Sequence, residues 1–247
     1  MTPTDPGGEP PDGSAPHVLV TEIRHPVLDE PTAHHLRRVR RLRPGDRLTA
    51  TDGAGRWRWC RLGTGPELAA EDEIVAVPRP TPPVTVAFAL TKGDKPELVV
   101  QKLTELGVDR IVPFRAARSV VRWDQSRAAA HAERWRAVAR SALEQSHRCW
   151  LPQVDDVADV HALVRLGAVR VDRGGRPPSL ASPTVAVGPE GGWDDAERAA
   201  LPDAVGLGPH VLRAETAALT AGGVLCSIRS GLVRELADPD PRPGKPG

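Results

Sequence analysis

Along residues 17–77, short stretches alternate apolar and polar side chains, the two-residue period of half-buried strands. Residues 18–23, 47–51, 56–62 and 73–77 fit that period, with the turn Asp52-Gly53-Ala54-Gly55 between the second and third. A helix is expected from about 31 to 43, where Leu36, Val39 and Leu42 form a stripe, arginine fills the other faces and Pro44-Gly45 ends the run. Pro78-Arg79-Pro80-Thr81-Pro82-Pro83 then puts four prolines into six residues, which favours an extended, semi-rigid linker over 78–83. After it the texture changes. Strands over 84–90, 110–114, 168–171, 184–187 and 205–207 alternate with helices near 95–106, 124–146 and 194–200, and a last helix runs from about 216 to 236. That alternation predicts an α/β fold over 84–236, a parallel sheet covered by helices, behind a small β-rich domain over 17–77. Residues 1–16 and 237–247 hold too little apolar surface to offset ordering entropy and read as disordered tails. No internal repeat is visible.

The 247 residues are 40% hydrophobic, a globular composition with ample core. A formal charge of +1 conceals an asymmetry: residues 34–47 carry Arg37, Arg38, Arg40, Arg41, Arg43 and Arg47 against the single acid Asp46. Such clustering fits either a polyanionic partner or a solvated basic face. Arginine outnumbers lysine 29 to 4, so Lys92, Lys95 and Lys102, grouped within eleven residues, stand out. Cys60, Cys149 and Cys226 are odd in number and never spaced C-x-x-C, which argues against a disulfide framework and a zinc site; no metal is expected. No apolar run approaches a membrane span, and residues 1–16 lack the apolar core of a signal peptide. The expected compartment is the cytoplasm.

Two loops concentrate the chemistry. Val187-Gly188-Pro189-Glu190-Gly191-Gly192-Trp193 and Leu207-Gly208-Pro209-His210-Val211-Leu212-Arg213-Ala214-Glu215-Thr216-Ala217 each follow an expected strand, and the second runs into a helix. Glycine lets backbone amides crowd a ligand, and paired loops at strand ends are where open α/β sheets bind. Neither loop matches G-x-G-x-x-G or G-x-x-x-x-G-K-[ST], so NAD and ATP find no support. The alternative is that these glycines serve tight turns alone.

Lys92-Gly93-Asp94-Lys95-x-Glu97, Gln101-Lys102-x-x-Glu105-Leu106-Gly107-Val108, Glu144-Gln145-Ser146-x-Arg148 and the two loops occur in an order and spacing that resembles the RsmE family of 16S rRNA uridine-N3 methyltransferases, over roughly residues 17–236. The helix ending in Arg-Pro-Gly-Asp is similar to that family's RNA-binding, PUA-like β-barrel. The resemblance implies a SPOUT-class enzyme whose C-terminal domain is tied in a trefoil knot. It also implies S-adenosylmethionine as methyl donor, a homodimer, no membrane, and 16S rRNA within the 30S subunit as substrate. Donor-binding residues would be Val187, Gly188, Pro189, Glu190, Gly191, Leu207, Gly208, Val211, Leu212, Thr216 and Ala217.

Uracil N3 keeps its proton near neutral pH, so methylation there needs a base or stabilisation of the imide anion. Arg213 is the first candidate to hold the uracil oxygens, since a guanidinium donates to two acceptors. Glu215 either accepts the N3 proton or orients Arg213; Thr216 is a candidate helix cap, and Glu190 is a weaker catalytic candidate. Arg37, Arg38, Arg41, Lys92, Lys95 and Arg148 are expected on RNA, and the loop 171–176 is expected to border the donor pocket. His147, Cys149 and Trp150 depart from the family pattern. His147 is a candidate base, set against a packed or solvated histidine. Trp57 and Trp59 share a strand face that either stacks RNA bases or forms core. On the last helix Ala221, Leu225, Ile228, Leu232 and Leu236 make a stripe that packs within the domain or on a second copy. Two other functions fit the same residues: a SPOUT relative acting on another RNA acceptor, and a ribosome-assembly protein that binds RNA without catalysis.

Overall fold

The computed structural model describes residues 8, 10, 15–121 and 123–234, so most of the two expected tails, and Leu236, lie outside the described residues. Gly8 is an exception to the disordered reading of 1–16: its carbonyl accepts a hydrogen bond from the Trp57 indole at 2.6 Å. Alternation in the first part builds a sheet of β1 (His17–Leu19), β2 (Arg47–Thr51), β3 (Arg56–Leu62), β4 (Leu68–Ala70) and β5 (Val75–Ala76). They are ordered β1-β2-β3-β4, with β5 also on β3. β1 runs parallel to β2, whereas β2 and β3 form an antiparallel hairpin with Thr51 opposite Trp57. Leu48, Ala50, Cys60 and Leu62 point to one side and close a core with Val18, Ile23 and Leu36.

Leu36 comes from α1 (Glu30–His34) and its continuation, a π-helical turn over His35–Val39. Asp29 caps the start, accepting the Thr32 amide at 2.8 Å. The expected helix to residue 43 is therefore cut short: the Arg40 amide donates to His35 O at 3.0 Å and Arg41 takes the left-handed φ of 57°. The wider turn rotates Val39 off the expected stripe, leaving it 63% exposed while Leu36 is buried.

The second part is an all-parallel sheet in the order β11-β9-β10-β6-β7-β8 among the described residues. Its strands are β6 (Thr85–Ala89), β7 (Arg110–Phe114), β8 (Gln153–Val154), β9 (Val169–Arg176), β10 (Thr184–Val187) and β11 (Ala204–Val205). Central β6 is buried along its whole length, as a strand covered on both faces must be. Val84, Val86, Phe88 and Leu90 face α2 (Lys95–Glu105), α3 (Gln125–Gln145) and α6 (Ala214–Arg229). Ala87 and Ala89 face Leu163 of α4 (Val160–Arg165) and Leu201 beyond α5 (Asp195–Ala200). Asp124, Asp159 and Asp194 cap the starts of α3, α4 and α5. Along the stripe expected on α6, Ala221 and Leu225 are buried, but Leu232 lies beyond the helix and is 81% exposed. Arg229 ends the helix on the buried Asp109 carboxylate and donates to Gly107 O at 2.7 Å.

The two sheets meet through Trp57, Val77 and Cys149, with Trp59, Val75 and Trp150 packed around them. The Trp57–Trp59 face is thus core, at the joint rather than inside the small sheet. The Trp150 indole donates to Val77 O at 3.1 Å, and Gly55 and Leu151 exchange backbone bonds with Cys149 and Gly53. These contacts fix one end of the proline-rich segment; at the other, Pro82 O accepts from Arg229 at 3.2 Å.

Candidate functional site

β9, β10 and β11 end side by side, and the loops after β10 and β11 close over one cavity of about 200 Å³. Val187, Gly188, Pro189 and Glu190 from the first loop and Leu207, Gly208, Val211, Leu212 and Ala217 from the second line it, as the sequence placed them. Val171, Asp172 and Arg173 complete the wall; they belong to β9, which runs on to Arg176 where a loop was expected. Trp193 closes the floor, with its indole donating to Val171 O at 3.1 Å and stacked 5.8 Å from Phe114.

The glycines serve different ends. A Cβ on Gly188 would lie 2.8 Å from the Trp193 ring, so this glycine is required by packing. Gly208 has a φ of 130° and open space where a Cβ would stand, leaving its backbone bare to the cavity. Gly191 does not line the cavity: its carbonyl accepts from Arg118 at 3.1 Å, on the loop's outer side. Thr216 is also not on the wall. It is an exposed residue inside α6 rather than its cap, because Arg213 holds the cap position with a φ of −67° and ψ of 154°.

Glu215 stands beside this cavity with one oxygen 3.2 Å from Lys95 Nζ, and the same ammonium donates to Glu190 Oε1 at 2.9 Å. Lys95, expected on RNA, thus bridges the two loops. Its hydrogen bonds to Glu190 and then Glu215 raise its pKa above the ordinary lysine value. Burial pushes the Glu215 carboxyl up, but its own backbone amide, Lys95 and Arg213 outweigh burial and hold it below the ordinary glutamate value. Glu215 Oε2 is buried and accepts no hydrogen bond among the described residues. Arg213 is exposed at the head of α6, and its guanidinium makes no hydrogen bond or ion pair among the described residues. Asp172 is ion-paired with Arg198 and Arg170; burial raises its pKa, and those two guanidinium groups with the Arg173 amide pull it below the usual value. Among the other wall residues, Asp172 and Arg173 lie in the segment 171–176 expected to border the pocket, Gly192, Trp193, His210 and Ala214 lie in the two loops without having been singled out, and Arg198 was missed. Arg198 sits in α5, where nothing in the spacing pointed to the pocket.

The remaining basic candidates separate. Arg38, Arg41 and Lys92 are exposed and make no side-chain hydrogen bond or ion pair among the described residues. Arg37 instead ties down the turn at Gly63, Thr64 and Gly65 through their carbonyls. Arg148 turns inward and donates to Thr104 O at 2.5 Å and Val108 O at 3.3 Å, closing the end of α2. Both guanidiniums are engaged by backbone carbonyls rather than held out to solvent as Arg38, Arg41 and Lys92 are. His147 does not line the donor-side cavity. Lys102 pairs with Glu105 at 2.8 Å. Among the described residues no group of three His, Cys, Asp or Glu side chains can hold a metal, and no helix is long and apolar enough to cross a membrane.

The family described as "RNA methyltransferase domain" matches residues 78–226, and "RNA methyltransferase PUA domain" matches 28–65. Ribosomal RNA small subunit methyltransferase E of Mycobacterium tuberculosis is 39% identical over 227 residues, covering 83% of this chain and 87% of that protein. The protein of the same name from Bacillus subtilis is 34% identical over 219 residues, covering 76% and 84%. Among solved structures, the same enzyme from Neisseria gonorrhoeae, bound to S-adenosyl methionine, superposes with a TM-score of 0.74 at 28% identity over 87% of this chain and 98% of that one. A Legionella pneumophila methyltransferase with bound SAM gives a TM-score of 0.75 at 26% identity, covering 86% and 97%.

Proposed function

Since the chain belongs to the ribosomal RNA small subunit methyltransferase E family, we propose that its cavity holds S-adenosylmethionine and that it methylates N3 of one uridine in 16S rRNA. The observation that carries this reading is the convergence of both glycine-bearing loops on one cavity flanked by Glu215, whose second oxygen is buried without a partner among the described residues. The residues fit the donor. Gly208 leaves room for close backbone approach, Val187, Leu207, Val211, Leu212 and Ala217 offer an apolar wall, and Asp172 is an ionised acceptor at its edge. The bound donor supplies an activated methyl group.

The chain's own residues do the rest. Glu215 stays ionised beside Lys95, so its buried, unpaired oxygen is the acceptor for the N3 proton of the uracil once the base is seated, but is only weakly basic. The charge that develops on the base therefore needs a second holder. Arg213, exposed at the head of α6, donates to the uracil oxygens as N3 loses its proton. Lys95 positions Glu215 and ties the β10 loop to α6, and alignment of N3 with the methyl group contributes most of the rate. On this reading Arg38, Arg41 and Lys92 meet rRNA phosphates, and the substrate is the 30S subunit or a late precursor of it. The reading carries with it a PUA-like barrel over 17–77, a linker over 78–83, and a SPOUT domain over 84–236 knotted through the β9–α6 region. A homodimer in the cytoplasm completes it.

Methyl transfer to purified small subunits tests it, with the modified nucleoside identified by mass. Arg213→Ala and Glu215→Gln should each lower kcat by about 100-fold or more, while donor affinity stays within about threefold. Transfer that survives both substitutions, or that marks a ribose oxygen, contradicts the assignment.

A further inference from the structure

A second cavity, of about 420 Å³, opens between the small β-rich part and α3 and shares no lining residue with the donor-side cavity. β1 gives His17, the π-helical turn His35, its end Arg40, and the last turn of α3 and its exit Glu144, Gln145 and His147. Neither domain alone could build it. Its size falls in the range of small-molecule sites.

The donors and acceptors inside are specific. His17 Nε2 faces the Arg148 carbonyl at 3.1 Å and must be the protonated nitrogen, so Nδ1 accepts from the Thr49 hydroxyl at 2.7 Å. The ring is therefore a neutral flat face, and His147 stacks on it at 5.2 Å with 16° between planes. His147 is held at the left-handed φ of 55°, and its Nδ1 is buried without a partner among the described residues. That φ belongs to the residue that closes α3, with the Arg148 amide returning to Leu143 O at 3.1 Å, so the unmet Nδ1 is the feature that calls for a partner. Glu144 accepts the Leu19 amide with Oε1 at 3.0 Å, while Oε2 takes no hydrogen bond among the described residues. Arg40 stands exposed at the rim with its guanidinium unengaged among the described residues.

We propose that this cavity binds a guanine nucleotide of the RNA substrate, the base against Glu144 and the phosphate on Arg40. Guanine is the base whose Watson–Crick edge presents two adjacent donors, N1–H and N2–H, and a carboxylate accepts both. Adenine and cytosine turn a ring-nitrogen acceptor toward the same carboxylate, and uracil offers one donor between two carbonyls. The Gln145 amide, at the cavity's edge, suits guanine O6. A guanidinium matches the phosphate. This site rests on the reading that the protein acts on RNA, and it would fix where the strand lies relative to the methylated base.

Calorimetric titration with 5′-GMP, 5′-AMP, 5′-CMP and 5′-UMP tests the base. GMP should bind saturably and at least about tenfold more tightly than the others, a difference of ~1.4 kcal/mol. Glu144→Gln keeps an oxygen for the Leu19 amide but turns an NH2 toward the base. It should abolish the preference for GMP at an unchanged unfolding temperature. Equal binding of the four nucleotides, or a preference that survives Glu144→Gln, overturns the proposal. In methyl transfer to small subunits, Glu144→Gln and Arg40→Ala should raise KM for the subunit about tenfold at constant kcat. An unchanged KM would assign the pocket to free nucleotide and overturn the RNA assignment. If wild-type protein methylates subunits yet ignores GMP, this inference fails and the methyltransferase reading stands. If GMP binds but no methyl group is transferred, the methyltransferase reading fails instead.

Discussion

His17 illustrates how one side chain can set a pH limit on the whole fold. Burial lowers its pKa from 6.5 to about 4, against the Arg148 carbonyl bond that raises it, and the neighbouring His147 lowers it further. The folded value lies below the unfolded one, so between about pH 6.5 and 4 the unfolded chain binds a proton that the folded chain refuses. Stability is accordingly full above that window and lost as pH falls through it. From pH 7 to 5 the loss attributable to His17 should be roughly 2 kcal/mol. Urea unfolding at both pH values measures it: His17→Asn should flatten the difference, and an equally steep difference in that variant would refute the assignment. Nothing in the sequence marked His17, since a histidine in a three-residue strand carries no signal of its burial. That Arg213 and Glu215 fall where the second loop runs into a helix was legible, whereas the Lys95 bridge was not, because it joins residues more than ninety positions apart.

At the scale of elements, strands β2, β3, β7 and β10 were readable to the residue. Their alternation or uniform apolar run leaves a single register that buries the right side chains. The short pieces escaped: α4 spans six residues and β8 two, too few for a period to show. β9 was read five residues short, ending at 171 rather than 176, because Gly174 and Gly175 look like a turn. In the fold Gly175 lets β11 come so close that a Cβ would lie 2.5 Å from the Val205 carbonyl carbon. The helix expected to reach residue 43 failed for a different reason, the widened π turn that spacing by 3.6 cannot foresee. The first loop carries a prediction of its own. Gly188→Ala pushes a methyl group into the Trp193 ring, which is 3% exposed and stacked on Phe114, so neither can yield. The variant should lose about 1–3 kcal/mol in chemical unfolding and bind the methyl donor more weakly; wild-type stability in that variant would mean the loop is looser than its packing implies.

For the whole molecule, a near-zero net charge hides a division of labour. The arginine-rich turn of the small sheet presents Arg38, Arg41 and Arg43 to solvent, while the donor-side cavity lies on the larger sheet. The joint at Trp57, Trp150 and Cys149 holds the two in one relation. If those arginines carry phosphate contacts, replacing all three by alanine should weaken small-subunit binding at every sequence and lower the salt slope of log K by about 2–3; an unaltered slope would leave them as solvated surface. The account as a whole depends on the methyl donor being seated between the loops after β10 and β11. Calorimetric titration with S-adenosylmethionine tests this most directly, comparing wild type with Leu212→Arg, which drives a long cation into the apolar wall. Wild type should bind at one site per chain, and Leu212→Arg should weaken that binding at least about tenfold, ~1.4 kcal/mol, with little change in unfolding temperature. A wild-type protein that ignores the donor, or a variant that binds it equally well, would contradict the account.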